Sequence, residues 1–231
     1  MPEELKAIVF DVFGTVVDWR GGVTRAVAAA GVFGDPARFA DEWYAGYRPA
    51  LDAVRSGVEP WAKLDILHRR NLDALLSRQR VTLDDAARQS LGRAWEQLDP
   101  WPDAVPGLAR LKARFIIGTL TNGSVGQMVR LAKHGGLPWD ITFTAELVRH
   151  YKPDPEAYRM VPDYLGLEPG QCMLVASHAY DLRSARQHGL RTAYVTRPLE
   201  YGPGPPHESV AEGEFDLLAR DFLHLAGLLG A

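Results

Sequence analysis

Cysteine is almost absent from this sequence: Cys172 stands alone among 231 residues. An internal disulfide needs two thiols and a cysteine-based metal site needs more, so neither can staple this fold. The lone thiol fits a reducing compartment, and a cytoplasmic location is expected. A surplus of one charge is missing as well. Lys and Arg number 26 against 29 Asp and Glu, the formal net charge is -3, and no basic run occurs. Nucleic acids and anionic membranes are bound through basic stripes, so neither is an expected partner and a small molecule becomes the default. No apolar run approaches the about 20 residues that cross a bilayer. Met1-Pro2-Glu3-Glu4 is acidic where a secretory leader carries positive charge, so no leader is expected.

What is present is an ordinary apolar fraction, 46%, in a chain long enough for one large domain or a core carrying an insert. Ala7-Ile8-Val9-Phe10 is a short, continuous run of apolar residues ending near Gly14, the pattern of a strand buried on both faces. Similar runs recur at Phe115 to Leu120, Ile141 to Phe143, Met173 to Ala176 and Thr192 to Val195. Helical stretches separate them: Val125 to His134 before Gly135-Gly136, Pro155 to Leu165 before Gly166, and Leu182 to His188 before Gly189. Alternating strands and helices predict an α/β fold with a doubly wound parallel sheet.

Residues 20–99 break this rhythm. Leu64, Leu67, Leu72, Leu75 and Leu76, then Leu83, Ala87, Leu91, Ala94, Trp95 and Leu98, follow helical spacing. Thr82 and Asp85 read as a capping-box start for the second series. The expected organisation is therefore a core of residues 1–19 and 100–231, with an all-helical cap, 20–99, inserted after the first strand. Pro198 to His207 reads as a rigid surface loop rather than a lid.

In a parallel sheet, residues just past the C-terminal ends of the strands gather along one ligand-binding edge. The first strand delivers Asp11 and Thr15 there. The second delivers Thr121-Asn122-Gly123-Ser124, the third Tyr151-Lys152-Pro153-Asp154-Pro155, and the fourth Ser177-His178-Ala179-Tyr180-Asp181. A carboxylate is a modest nucleophile unless it is positioned, desolvated and kept ionised by a nearby cation. Lys152 is the candidate cation for Asp11, and it should lower the Asp11 pKa. Asp154 reads as an N-cap with Pro155 at the first helical position. Thr121 and the amides around Asn122 can bind an anionic group of a substrate.

In this order, the four loops resemble the haloacid dehalogenase superfamily, whose signature is an aspartate nucleophile, a Thr or Ser, a Lys and a later acidic residue. The resemblance spans nearly the whole chain, cap included, and implies a Rossmann-like core. Phosphatases of the superfamily carry a proton-donating aspartate two residues after the nucleophile, whereas this chain has Phe13. A halide leaves without a proton, so Asp11-Val12-Phe13-Gly14-Thr15 is similar to the L-2-haloacid dehalogenase branch. Tyr151-Lys152-Pro153-Asp154-Pro155, Tyr158 and the Asp181 loop are similar to it as well.

The resemblance implies a hydrolytic dehalogenase of short 2-haloalkanoic acids acting through an aspartyl ester. Asp11, Thr15, Lys152, Ser177 and Asp181 are the expected catalytic residues, with Asp181 orienting or deprotonating the water. Val12, Phe13, Tyr44, Arg48, Thr121, Asn122, Tyr158 and His178 are the expected substrate-binding residues. It implies no cofactor and no metal, a small anionic substrate, and dimerisation as a family expectation. Two alternatives stay open: a magnesium-dependent phosphatase, with Asp11 and Asp181 as ligands, and a non-catalytic ligand-binding member.

The pattern breaks in two places. The branch carries a Trp-Arg pair in the cap, whose arginine receives the halide, and here the pair is Trp43-Tyr44. Arg48, one turn later, is either its substitute or a surface arginine. His178 replaces the usual asparagine, and Ala176 a serine. His178 could donate to the water or to Asp11 and make activity respond to pH near neutrality. Cys172 reads as core. Trp43, Tyr47 and Trp61 read more readily as helix packing than as a pocket wall, and His68, His134, His188 and His224 show no ligand spacing.

Overall fold

The computed structural model describes residues 4–31, 34–204, 208 and 210–231. Met1-Pro2-Glu3, at the leader position, and Pro205-Pro206-His207, at the end of the proline-rich loop, lie outside the described residues.

Six strands form one parallel sheet in the order β3-β2-β1-β4-β5-β6. They are β1 Ala7–Phe10, β2 Ile116–Thr121, β3 Ile141–Thr144, β4 Cys172–Ala176, β5 Arg191–Val195 and β6 Leu217–Ala219. β1 lies between β2 and β4, with Val9 opposite both Gly118 and Leu174. Its side chains alternate between two cores, as the strand period of two requires: Ile8 and Phe10 join one, Ala7 and Val9 the other. Burial on both faces explains why this strand reads as a continuous apolar run.

Among the described residues, the regular elements between β1 and β2 are all helical: Trp19–Ala29, Pro36–Ala45, Tyr47–Arg55, Leu64–Gln79, Asp85–Gly92, a short turn, Arg93–Glu96, and, back in the core, Ala104–Lys112. The leucines at helical spacing in Leu64–Gln79 are all buried. The start of Asp85–Gly92 corrects the capping expectation, because the cap is Asp84, whose side chain accepts from Ala87 N at 2.7 Å, and not Thr82. Asp154 does stand at the N-cap of Pro155–Leu165, with Pro155 at its first position, but its side chain makes no cap bond. Its carboxylate accepts from Arg55 Nε at 2.8 Å, which is possible because the cap reaches over this loop.

The chain leaves and rejoins the core side by side. Asp18 N donates to Asp99 O, Trp101 N donates to Val16 O, and Val17 pairs with Pro100. No helix among the described residues is long and apolar enough to cross a membrane.

Candidate active site

Asp11 leaves β1 at the sheet edge, and three loops converge on it. Its Oδ1 accepts from Lys152 Nζ at 2.8 Å. Its Oδ2 accepts from Thr15 Oγ1 at 2.8 Å and lies 3.0 Å from His178 Nδ1. Burial alone would push this carboxyl up, but the Lys152 ammonium and His178 outweigh it and hold Asp11 well below the usual carboxylate range. The Asp11 carboxyl is thus buried and ionised together.

Lys152 is fixed from several sides. Its backbone N–H donates to Asn122 Oδ1 at 2.8 Å, and Nζ donates to Leu120 O at 3.0 Å and Asp181 Oδ2 at 2.5 Å. Burial pulls the lysine down, yet Asp11 and Asp181 raise it above its ordinary value, so it stays charged. Asp181 is wholly buried, with Oδ1 accepting from Tyr158 OH at 2.7 Å. Burial raises its carboxyl above the ordinary value. Tyr158 therefore meets Asp181 and not the cavity, as its position beneath the loop dictates.

His178 bridges two carboxylates. Its Nε2 lies 2.8 Å from Glu200 Oε1, and Glu200 Oε2 accepts from Ser177 Oγ at 3.1 Å. Burial would strip the ring of its proton, but Glu200 and Asp11 outweigh it and push His178 well above its ordinary 6.5. The ring is an imidazolium at neutral pH, and it places a second cation beside Asp11. Ser177 also holds Thr15, whose Oγ1 accepts from Ser177 N at 2.9 Å.

Asp11, Phe13, Thr121, Asn122, Lys152 and His178 line a cavity of ≈ 20 Å³ together with Tyr44, Tyr47, His68, Trp95 and Tyr180. That is room for about one water molecule. Five of these and neighbouring rings stack in a closed circuit: Tyr44 on Tyr47, Tyr47 on His68, His68 on Trp95, Trp95 on Trp19, and Trp19 on Tyr44. Asn122 Nδ2 donates to Tyr47 OH at 2.9 Å, tying this cap wall to the sheet edge.

Two further expected substrate contacts lie elsewhere. Val12 is fully buried and packs into the core on one face of the sheet, because the chain turns back at Gly14 and carries its side chain inward. Arg48 is exposed, and its guanidinium lies 4.4 Å from the Tyr180 ring centre, outside the cavity. Tyr44 and Arg48 sit on separate helices, Pro36–Ala45 and Tyr47–Arg55, so Arg48 does not share the face of Tyr44 as a single helix would require. Magnesium does not fit between Asp11 and Asp181, because the Lys152 ammonium already bridges the two carboxylates.

A family profile described as haloacid dehalogenase-like hydrolase matches residues 5–189. The chain belongs to the haloacid dehalogenase-like hydrolases. This hydrolase is 28% identical over 211 residues to the (S)-2-haloacid dehalogenase 4A of Burkholderia cepacia, covering 89% of this chain and 90% of that one. It also resembles the crystal structure of the L-2-haloacid dehalogenase PA0810, with 43% identity, a TM-score of 0.94, and coverage of 98% and 99%. The defluorinating L-2-haloacid dehalogenase Rha0230 is similar at 42% identity and a TM-score of 0.93 over the whole of both chains.

Sequence reasoning missed Glu200, His68 and Trp95 in this hydrolase. Glu200 follows β5, so extending the strand-end rule to the fifth strand would have reached its loop. Nothing in the spacing of His68 or Trp95 separates a cavity wall from helix packing. Their distinguishing feature is tertiary: Trp95 Nε1 and both ring nitrogens of His68 are buried without a hydrogen-bond partner among the described residues. Such a buried unmet donor typically costs about 1–3 kcal/mol.

Proposed function

We propose that this protein is a hydrolytic dehalogenase of short 2-haloalkanoic acids, working through an ester on Asp11. The observation that carries it is Asp11 itself, held ionised by two cations and facing a cavity in which position 13 is a phenyl ring. An alkoxide leaving group would need a proton from that position, whereas a halide needs none. The names of the similar proteins above support the same reading.

Asp11 Oδ1 attacks the carbon bearing the halogen, since Oδ2 is engaged by both Thr15 and His178. The carbon–oxygen bond forms as the carbon–halogen bond breaks, and the halide leaves with the bonding pair. Water then adds to the Asp11 carboxyl carbon. Thr15 and His178 donate to the oxyanion that develops on Oδ2. Asp181, with its raised proton affinity, takes the water proton once Lys152, released by the loss of charge on Asp11, yields its contact. Collapse of the tetrahedral species breaks the ester bond, the departing alkoxide takes the proton back from Asp181 to become the 2-hydroxy acid, and Asp11, beside Lys152 and His178, sheds its remaining proton to solvent.

Lys152, His178 and the amides near Asn122 favour the substrate carboxylate, and the chain's own residues suffice without a cofactor. A two-carbon acid exceeds the closed cavity, so the cap, residues 20–99, moves away from the core of residues 1–19 and 100–231 to admit it. A cytoplasmic location and a homodimer belong to the same reading.

The test is halide release from chloroacetate, fluoroacetate and 2-chloropropionate, with and without a chelator. Single turnover in heavy-oxygen water should place the label in Asp11. Turnover of phosphate esters alone, and only with magnesium, would overturn the proposal.

A further inference from the structure

The displaced halide must be received somewhere, and the guanidinium that Arg48 offered lies outside the cavity. The cavity wall instead holds two rings, Trp95 and His68, whose N–H groups meet no partner among the described residues. Buried polar groups in folded proteins are almost always paired, so two unmet donors in one cavity wall call for a ligand. Both rings are locked. His68 stacks on Trp95 with ring centres 4.0 Å apart and an interplanar angle of 17°, and Tyr47 covers it at 5.9 Å. The Trp43 indole N–H donates to His68 O at 2.9 Å and anchors its backbone.

We propose that Trp95 Nε1–H and the His68 ring N–H form the halide-receiving subsite of this enzyme, a cradle of neutral donors suited to a small, hard halide. The proposal rests on the dehalogenase reading and names its leaving-group site.

The chemistry is consistent at each step. Burial pulls His68 down to about 3, so the ring is neutral and offers one donor. An indole N–H is a donor only. Neither ring brings the charge that an arginine would, but the reaction itself shifts the balance. Esterification removes the negative charge of Asp11 while Lys152 and His178 keep theirs, so the site becomes more positive as the halide forms. The outward edges of aromatic rings, which carry positive potential, add to this. Room for one water-sized species fits fluoride best and bromide poorly.

The experiment follows the indole N–H resonances of the six tryptophans in 15N-tryptophan-labelled enzyme as sodium fluoride or chloride is added, ionic strength held constant. One resonance should shift and saturate, more tightly with fluoride. It should be absent in Trp95→Phe, or be assigned to Trp95 by backbone correlation if that variant does not fold. Trp95→Phe and His68→Phe keep the stacking and delete one donor each. Each should weaken product inhibition by halide at least fivefold and lower kcat for fluoroacetate at least tenfold, with KM changed less than threefold. A Trp95 resonance that stays fixed while halide still inhibits, or unchanged halide inhibition in both folded variants, overturns the subsite. Failure of the wild type to release halide from any haloacid would sink the dehalogenase reading instead, and the halide titration of the indole does not depend on that turnover.

Discussion

Glu200 occupies the space that a side chain on Gly14 would need. A Cβ on Gly14 would fall 2.0 Å from Glu200 Oε1, and Gly14 has φ +88, a region L side chains rarely adopt. The glycine of the loop after Asp11 thereby lets Glu200 reach His178, which in turn touches Asp11. The two residues are 186 positions apart by their numbering, yet one sets the reach of the other.

Gly14→Ala should therefore act through His178. Displacing Glu200 removes one of the two carboxylates that keep the ring protonated, so the alkaline limb of the pH profile of kcat/KM should move to lower pH. The rate at neutrality should fall by about tenfold or more, the size expected for a lost transition-state contact. Unfolding measured alongside separates this from the strain at positive φ, since strain alone leaves the pH profile in place.

Asp11→Asn keeps shape and removes the nucleophile. Haloacid turnover should drop by at least about 10³-fold, as for other enzymes stripped of their nucleophile. Halide release measured by ion electrode is the readout, and retention of more than a tenth of the activity would contradict the ester.

Lys152→Met leaves Asp11 and Asp181 facing each other without the ammonium between them. Removing one partner from a buried charge cluster costs about 3–5 kcal/mol, and urea denaturation should show a loss of that order at pH 7. Lowering the pH should narrow the gap between variant and wild type, because protonating a carboxylate relieves the repulsion.

Stability should fall on both sides of neutrality, with assignable causes. His178 is raised above 6.5 in the fold. Its contribution is complete below that unfolded value and is lost as the pH rises through the folded one. Asp11 is depressed below 3.8, so its contribution is present above 3.8 and lost as the pH falls through the folded value. His178→Asn should flatten the alkaline decline in melting temperature and leave the acid limb largely unchanged.

Arg48→Ala tests the surface position of that arginine. The exposed guanidinium on the Tyr180 ring is worth about 0.5–1 kcal/mol, so melting should shift slightly and kcat/KM for chloroacetate should stay within about twofold. A tenfold loss would bring Arg48 back to the halide.

The sequence by itself determined five of the six strands, β6 excepted, and the edge. Ala7 to Phe10 reads as buried because both faces of β1 are covered, and Asp11, Lys152, Ser177 and Asp181 follow from the rule that parallel strands end on one side. Helical spacing in the cap was legible for the same reason: period reports which face is buried. Local propensity could not decide which of two nearby polar residues caps a helix, and Asp84 replaced Thr82.

Only the tertiary structure decided the rest. Arg48 is four residues from Tyr44 in sequence, but the helix breaks at Gly46 and the second helix places it over Tyr180 and outside the cavity. His68 and Trp95 carry ordinary helix spacing, and their character as donors without partners arises because cap and core close around them. Glu200 meets His178 across a loop whose sequence carries no periodicity to read. Periodicity encodes burial, whereas the pairing of two side chains depends on how separate elements meet, and that is set by the packing of the whole chain.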